Sequence, residues 1–229
     1  GNEVEIDDLK YPGDPDSMPG QDMAPSVTFT MEETKAMPVH EEFLLANTSR
    51  QQYDFYASYR GVRVADILEA AGVDLADPEI TGITVIAPDG YLKDFTMEEV
   101  TTAFPAGLYH AGLDVATLGA ECGFVEYPDT LPGGLTDGGT IPGEQWLLLA
   151  YDREDLPMEE CVLDIPDGKI NGEGPFRVVV PQGTPGSPDR GASYSPTTCG
   201  DAYDYDSTKD HNAGDMVPRA ASVLGRNSR

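Results

Sequence analysis

Three cysteines are the residues of this sequence best suited to redox or metal chemistry. Cys122, Cys161 and Cys199 are far apart, and none belongs to a Cys-x-x-Cys pair, so their spacing does not support a zinc or iron–sulfur site. Cys122 lies in a glycine-rich loop and Cys199 in a loop of Pro, Gly, Ser and Thr, which favours a disulfide between them in an oxidising compartment. Cys161 precedes Val162 and Leu163, so we expect it to be buried in a strand. Buried free thiols are the alternative for all three.

Aspartates are concentrated near the C-terminal end of the sequence, where they could hold a hard cation. Several carboxylates in one loop are the ligands that calcium prefers. The candidate metal ligands are Asp201, Asp204, Asp206 and Asp210. Their spacing differs from that of an EF-hand loop, and the glycine that such a loop requires is missing. A calcium site and a solvated acidic loop are therefore both open interpretations.

Histidine and arginine side chains suggest two further sites. His110 precedes a glycine-rich segment and could line a cleft beside Asp89 and Tyr91. A hydrogen-bonded surface histidine is the alternative. A separate group brings aromatic and basic side chains together and could bind an anionic small molecule or a partner, with ordinary strand packing as the alternative. That group consists of Tyr53, Phe55, Tyr56, Tyr59, Arg50, Arg60 and Arg63.

The overall charge excludes one class of partner. The chain has 229 residues and a formal net charge of −27, so its surface repels phosphate backbones and anionic lipid, and we expect no nucleic-acid binding. No apolar run is long enough for a transmembrane helix. The acidic, proline- and glycine-rich start resembles a mature chain after removal of a leader. We therefore expect an exported protein, periplasmic or at the cell surface, with a lipid anchor upstream as one option.

The elements that must position these residues are clearest after residue 59. Apolar side chains recur at helical spacing at Val64, Ile67, Leu68 and Ala71. Gly72 follows, where a helix end favours a left-handed residue. The pattern predicts one amphipathic helix that ends at this glycine.

A hairpin and a second helix follow directly. Residues 80–87 are rich in β-branched side chains, residues 88–90 (Pro-Asp-Gly) predict a turn, and residues 91–95 predict the returning strand. Thr96 and Glu99 form a capping box that begins another helix. The predicted order is helix, hairpin, helix.

The rest of the chain is predicted to add short helices, strands and loops. Thr30 and Glu33 form a second capping box, and Pro38 ends that helix. Further strands are predicted at residues 26–29, 41–46, 52–59, 146–151 and 176–180. Alternation in residues 52–59 predicts one polar and one aromatic face, and residues 108–143 are long enough to predict a functional loop or a lid. At most a short helix is expected at residues 220–224.

Four segments resemble one protein family. Residues 59–73 (YRGVRVADILEAAGV), followed by Asp89-Gly90-Tyr91, resemble the molybdopterin-binding domain of the sulfite oxidase family. Residues 29–38 (FTMEETKAMP), 146–156 (WLLLAYDREDL) and 174–181 (GPFRVVVP) resemble the same family in the same order. The resemblance implies an α+β fold, with a mixed, twisted β-sheet flanked by short helices. We therefore expect an acidic flexible lead at residues 1–25, this domain at residues 26–181, and a C-terminal extension packed on or trailing it at residues 182–229.

One residue of the family pattern is missing. In that family a cysteine thiolate ligates molybdenum, between the first helix and the Gly-Val-x-x helix. Residues 38–61 take that place here and contain no cysteine, while residues 44–49 (LLANTS) offer an amide that cannot replace a soft thiolate. We expect a cleft between residues 44–50 and residues 89–91, and the candidate cofactor-binding side chains are Asn47, Arg50, Arg60, Asp89, Tyr91 and His110.

The expected function is therefore an exported, non-catalytic module that binds a small anionic ligand or a redox partner protein. A divergent molybdopterin-dependent oxidoreductase and a structural, envelope-associated protein are the alternatives. The resemblance is the sole reason to consider molybdopterin as a cofactor. The sequence has no Gly-x-Ser-x-Gly motif, P-loop or dinucleotide fingerprint, so it does not support those enzyme classes.

Overall fold

A computed structural model describes residues 3–5, 27–51, 53–158, 162–164, 169–196, 198–200 and 202–227. The helices are α1 (Met31–Ala36), α2 (Val64–Ala70), α3 (Met97–Thr101) and α4 (Val115–Leu118), with a 3-10 turn at Asn212–Gly214. The strands are β1 (Glu3–Glu5), β2 (Thr28–Thr30), β3 (His40–Ala46), β4 (Asp54–Arg63), β5 (Ile80–Ile86), β6 (Leu92–Thr96), β7 (Leu108–Tyr109), β8 (Val125–Glu126), β9 (Gly139–Thr140), β10 (Leu148–Arg153), β11 (Leu156–Pro157), β12 (Val162–Asp164), β13 (Lys169–Asn171), β14 (Arg177–Val179), β15 (Val217–Pro218) and β16 (Ser222–Asn227). The chain is an α+β protein of mostly sheet and a few short helices, as the sequence predicts at this level.

The largest sheet has strand order β15-β14-β10-β4-β3, with β11 paired to β10 and β8 paired to β4. The β4–β8 pair is parallel and the other pairs are antiparallel, so the sheet is mixed. The two most apolar predicted strands lie inside it, as β10 and β14. Their side chains are buried almost throughout, which is why their sequences lack a polar alternation.

A smaller antiparallel sheet of order β16-β5-β6 contains the predicted hairpin. Gly90, at φ 87°, makes its turn, and Gly72, at φ 85°, follows α2, so both glycines occupy left-handed conformations as predicted. The short helix expected at residues 220–224 is wrong. Ser222–Asn227 is instead a strand, because its backbone pairs with Ile80–Ile86.

Both capping boxes are confirmed. The Thr30 hydroxyl accepts from the Glu33 backbone N–H at 3.2 Å while the Glu33 carboxylate accepts from the Thr30 N–H at 2.8 Å. Thr96 and Glu99 repeat the arrangement at 3.2 and 2.7 Å. Each box satisfies N–H groups that the first turn of a helix leaves free. In the described part of the chain, no helix has the length and apolar character needed to cross a membrane.

Two hydrophobic clusters lie on opposite faces of the β3–β4 pair. Leu44, Ala46 and Tyr59 belong to the main core, whereas Phe43 and Tyr56 belong to a second, more aromatic cluster. The second cluster is completed by Leu45, Tyr109, Phe124, Val125 and Ile141. Residues 108–143, predicted as a functional loop or lid, thus cover one face of β3–β4 with their own apolar side chains.

The polar face predicted for residues 52–59 is wrong in its described part. Asp54 and Tyr56 are each 1% exposed. Tyr56 stacks on Phe43 with ring centroids 5.5 Å apart, and its hydroxyl donates to the Leu108 carbonyl oxygen at 2.9 Å. Tyr56 is buried because residues 108–143 pack over it, whereas Ser58 on the same face is partly exposed.

Candidate functional site

The cleft expected between residues 44–50 and residues 89–91 is filled by the protein's own chain. The Ala213 N–H donates to the Asn47 carbonyl oxygen at 3.0 Å, and the Tyr91 hydroxyl donates to the Gly214 carbonyl oxygen at 2.7 Å. Arg219 then forms an ion pair with Asp89. The C-terminal segment, meaning the described residues between 182 and 219, therefore runs from one wall of the expected cleft to the other.

Asn47 stands at the centre of this contact and is 0% exposed. Its backbone N–H donates to Oδ1 of Asn212 at 2.9 Å. The Asn212 amide nitrogen donates to the carbonyl oxygens of Leu45 at 3.0 Å and Val180 at 2.7 Å. The side-chain amide of Asn47, by contrast, has no hydrogen-bond partner among the residues that the structure describes. Asn47 is therefore bonded through its backbone to Asn212 and Ala213 of the C-terminal segment.

Asp54 is a buried acid at the start of β4. Its Oδ1 accepts from the Thr48 backbone N–H at 2.7 Å and from the Thr48 hydroxyl at 3.2 Å, and its Oδ2 accepts from the Asp189 N–H at 3.0 Å. Burial raises the pKa of Asp54 to about 8; the neighbouring Asp189 carboxylate also raises it, and the three donated hydrogen bonds act in the opposite direction. Asp54 therefore connects the β3–β4 turn to the C-terminal segment.

Asp189 is a second fully buried acid, at 0% exposure. Its Oδ1 lies 3.1 Å from Nε2 of His211, and its Oδ2 accepts from the Asp206 N–H at 2.8 Å. The His211 ring stacks on Tyr205 with centroids 5.1 Å apart. These contacts fold the C-terminal segment back on itself, so both buried acids serve as acceptors that hold loops in place. Neither Asp54 nor Asp189 was predicted as a site residue, because the burial of each depends on segments far along the chain.

The disulfide predicted between Cys122 and Cys199 is confirmed, with Cα atoms 5.3 Å apart. It joins the loop after α4 to the C-terminal segment. Arg190 supports the same junction by donating from Nη2 to the Cys122 carbonyl oxygen at 2.7 Å. Cys161, predicted as a buried strand residue, lies outside the described residues.

The other predicted cofactor-binding residues are not gathered around Asn47. Arg50 is exposed. Arg60, on β4, forms ion pairs with Glu41 at 2.7 Å and Asp155 at 3.3 Å. Burial lowers the pKa of His110, whose backbone N–H donates to the Tyr56 hydroxyl. Asp89 and Tyr91 reach Asn47 only through the C-terminal segment, so these residues do not share one pocket.

The aromatic–arginine group is assembled differently from the prediction. Arg153 stacks its guanidinium over Phe55 at 4.7 Å and lies 6.0 Å from the Tyr59 ring centroid. Arg63 instead lies over Trp146 at 4.8 Å. The predicted arginines are close to the aromatic residues in sequence. Arg153 is distant in sequence but lies beside β4 because β10 pairs with it.

Two of the four predicted metal ligands, Asp206 and Asp210, accept hydrogen bonds from the protein. Oδ1 of Asp206 accepts from the backbone N–H and the hydroxyl of Thr208, and Oδ2 of Asp210 accepts from the Gly183 and Thr184 N–H groups. Asp201 lies outside the described residues. Where the chain is described, no three His, Cys, Asp or Glu side chains come together as a metal site, and the calcium interpretation, which includes Asp201, stays a prediction.

Comparison of the chain with known protein families and with curated proteins gives no match. Functional interpretation therefore depends on the residues and their geometry.

Proposed function

We propose that this chain is an exported, non-catalytic binding module built on a fold like the molybdopterin-binding domain of sulfite oxidases. The observation that supports this most directly is the surroundings of Asn47. Residues 44–49 are the neighbourhood in which the resemblance implies a metal-ligating thiolate, and within them Asn47 is a fully buried amide whose backbone bonds to Asn212 and Ala213. An amide is a poor donor for a soft metal, and the backbone contact leaves the expected position covered.

Several elements support the proposed fold. The order helix, hairpin, helix in residues 64–101 matches the segment that carries the strongest resemblance. Of the three other resembling segments, residues 146–156 and 174–181 contain β10 and β14, which pair with each other in the large sheet.

The disulfide supports the proposed export, and the net charge supports the proposed kind of partner. A disulfide between Cys122 and Cys199 is stable in an oxidising compartment, which agrees with export. A net charge of −27 favours a partner protein with a basic surface and accelerates its association at low salt. A redox partner protein remains the proposed macromolecular partner, and its basic surface is the property that this chain would recognise.

Metal analysis tests the proposal. The protein would be produced in a host that makes molybdopterin, and molybdenum and pterin would be measured after purification. We expect neither at a stoichiometric level. An Asn47→Cys variant is the informative companion, because it restores the family's sulfur donor while residues 212–214 still cover it; we expect it to remain free of molybdenum. One molybdenum per wild-type chain would overturn the proposal in favour of a divergent oxidoreductase.

A further inference from the structure

Arg190 is a buried cation with no carboxylate at ion-pair distance in the described part of the chain. The residue is 5% exposed, and its guanidinium carbon lies 4.5 Å from the centroid of the Phe124 ring. It forms no ion pair with any side chain that the structure describes, and its Nε has no hydrogen-bond acceptor there. Nη2 donates to the Cys122 carbonyl oxygen at 2.7 Å, so one of the five N–H donors of the guanidinium is bonded within the protein and the Nε donor is not.

The carboxylate of Asp204 influences Arg190 without forming an ion pair with it. Burial lowers the pKa of Arg190 while Asp204 raises it, yet the two side chains are not within ion-pair distance. Oδ1 of Asp204 is itself buried, with no partner in the described part of the chain. Removing a charge from water without a close counter-charge is unfavourable, which makes the site receptive to an anion.

A surface cavity of about 310 Å³ opens beside this arginine. Its other lining residues are Ala120, Glu121, Gly123, Tyr194, Pro196 and Thr198. Residues 120–123 belong to the loop after α4, whereas Tyr194, Pro196 and Thr198 belong to the C-terminal segment. The Cys122–Cys199 disulfide joins these two walls covalently, so the cavity is held in shape before any ligand arrives.

The lining defines the kind of ligand. Arg190 can donate to a carboxylate through its planar guanidinium, and the Thr198 hydroxyl is a further donor. Tyr194 and Pro196 offer an apolar surface for the rest of a small molecule. Glu121 repels a second negative charge, which disfavours dianions such as phosphate.

We propose that the Arg190 cavity binds a small organic monocarboxylate. This site is separate from the covered position of Asn47, so the proposal does not depend on whether the chain binds molybdenum. It gives the module a ligand class, and it gives the disulfide a role in joining two walls of one binding site.

Titration with defined probes tests the proposal. Wild-type protein would be titrated with acetate, benzoate and phosphate and followed by amide chemical shifts. We expect saturable binding of benzoate, weaker binding of acetate, and little response to phosphate. Shifts should be concentrated at residues 120–124 and 190–198. A wild-type protein that shows no saturable response to either carboxylate would overturn the proposal and leave an internal water as the partner of Arg190.

Variants separate specific binding from general charge effects. Arg190→Gln should weaken benzoate binding about tenfold to a hundredfold, because it removes charge-assisted hydrogen bonds. Arg226→Gln is the matched control, since Arg226 is 45% exposed and pairs with Asp94 on the small sheet; it should leave the affinity unchanged. If Arg190→Gln does not fold, Glu121→Gln provides the second test, because removing the repelling carboxylate should tighten benzoate binding. Equal affinities in wild type and Glu121→Gln, or in wild type and Arg190→Gln, would contradict the assignment.

Discussion

Oδ1 of Asn212 accepts a hydrogen bond from the backbone N–H of Asn47 at 2.9 Å. Through this contact the C-terminal segment covers the end of β3. Both asparagines are almost fully buried, at 1% and 0% exposure. Asn212 also donates to two carbonyl oxygens, whereas the Asn47 amide has no partner in the described structure. The two asparagines are therefore similarly buried, but only the side chain of Asn212 is hydrogen-bonded.

This contrast gives the first prediction. Asn212→Ala should lower the free energy of unfolding by about 2–5 kcal/mol, because it leaves one buried N–H and two carbonyl oxygens unpaired. Asn47→Ala should change it by less than about 1 kcal/mol, because no side-chain hydrogen bond is lost. Urea unfolding of the two variants measures the difference. An equal loss in both would show that Asn47 has a partner outside the chain, such as a bound water or ligand.

The second prediction concerns the close approach of Gly191 to the β3–β4 turn. A Cβ on Gly191 would overlap the Gln51 carbonyl oxygen, beside the 3.1 Å hydrogen bond from the Ala192 N–H to the Ser49 carbonyl oxygen. Gly191→Ala should therefore displace the C-terminal segment and destabilise the protein by about 1–3 kcal/mol. Hydrogen exchange of residues 47–54 should rise at the same time.

Gly186→Ala is the matched control, in the same segment. No described atom lies within 4 Å of a Cβ built there, so the variant should stay within about 0.5 kcal/mol of wild type. If Gly191→Ala left exchange at residues 47–54 unchanged, the described contact would not hold that turn.

The third prediction is a pH dependence of stability. Because the pKa of Asp54 is raised to about 8 in the folded protein and is about 4 in the unfolded chain, the folded state retains a proton that the unfolded state releases. This contribution favours folding most below about pH 4 and is lost as pH rises towards 8, with a slope of at most about 1.4 kcal/mol per pH unit.

Asp54→Asn isolates that contribution. The amide does not titrate, so the free energy of unfolding of the variant should decline less between pH 5 and 8 than that of wild type. Urea unfolding at several pH values measures this difference. Burial also raises the pKa of Glu42, but Glu42 is present in both proteins and cancels in the difference. Parallel pH profiles would mean that Asp54 is ionised throughout this range.

The fourth prediction concerns the Cys122–Cys199 disulfide. It closes a loop with a sequence separation of 77, so its loss should destabilise the protein by about 3–5 kcal/mol. The double variant Cys122→Ser/Cys199→Ser, unfolded in urea, measures this loss. A reducing agent should lower the stability of wild type and leave that of the double variant unchanged. Unchanged stability of wild type on reduction would mean that the bond is not formed in solution.

Local signals in the sequence were sufficient for much of the fold. The stripe of Val64, Ile67 and Leu68, and the capping boxes begun by Thr30 and Thr96, each depend on residues within one or two turns. Such interactions can be identified without knowing the tertiary structure. The hairpin turn at residues 88–90 was predictable for the same reason.

The candidate site was not predictable in this way, because its contacts join distant parts of the chain. Asp54 follows an alternating pattern that favours an exposed side chain, yet residues 108–143 and the C-terminal segment bury it. Asn212 bonds to Leu45 across most of the sequence, and an isolated asparagine has no periodicity that would reveal this. The strand at Ser222–Asn227 was missed because its partner strand, β5, is equally remote.

That remote pairing has a consequence for how the molecule is made. The hairpin of β5 and β6 leaves the ribosome long before Ser222–Asn227, the strand that pairs with the other edge of β5. During synthesis the open edge of β5 is a template for incorrect strand addition, and only the arrival of the late strand closes it. Truncation before Ser222 should therefore release aggregation-prone chains, even though the hairpin itself is intact.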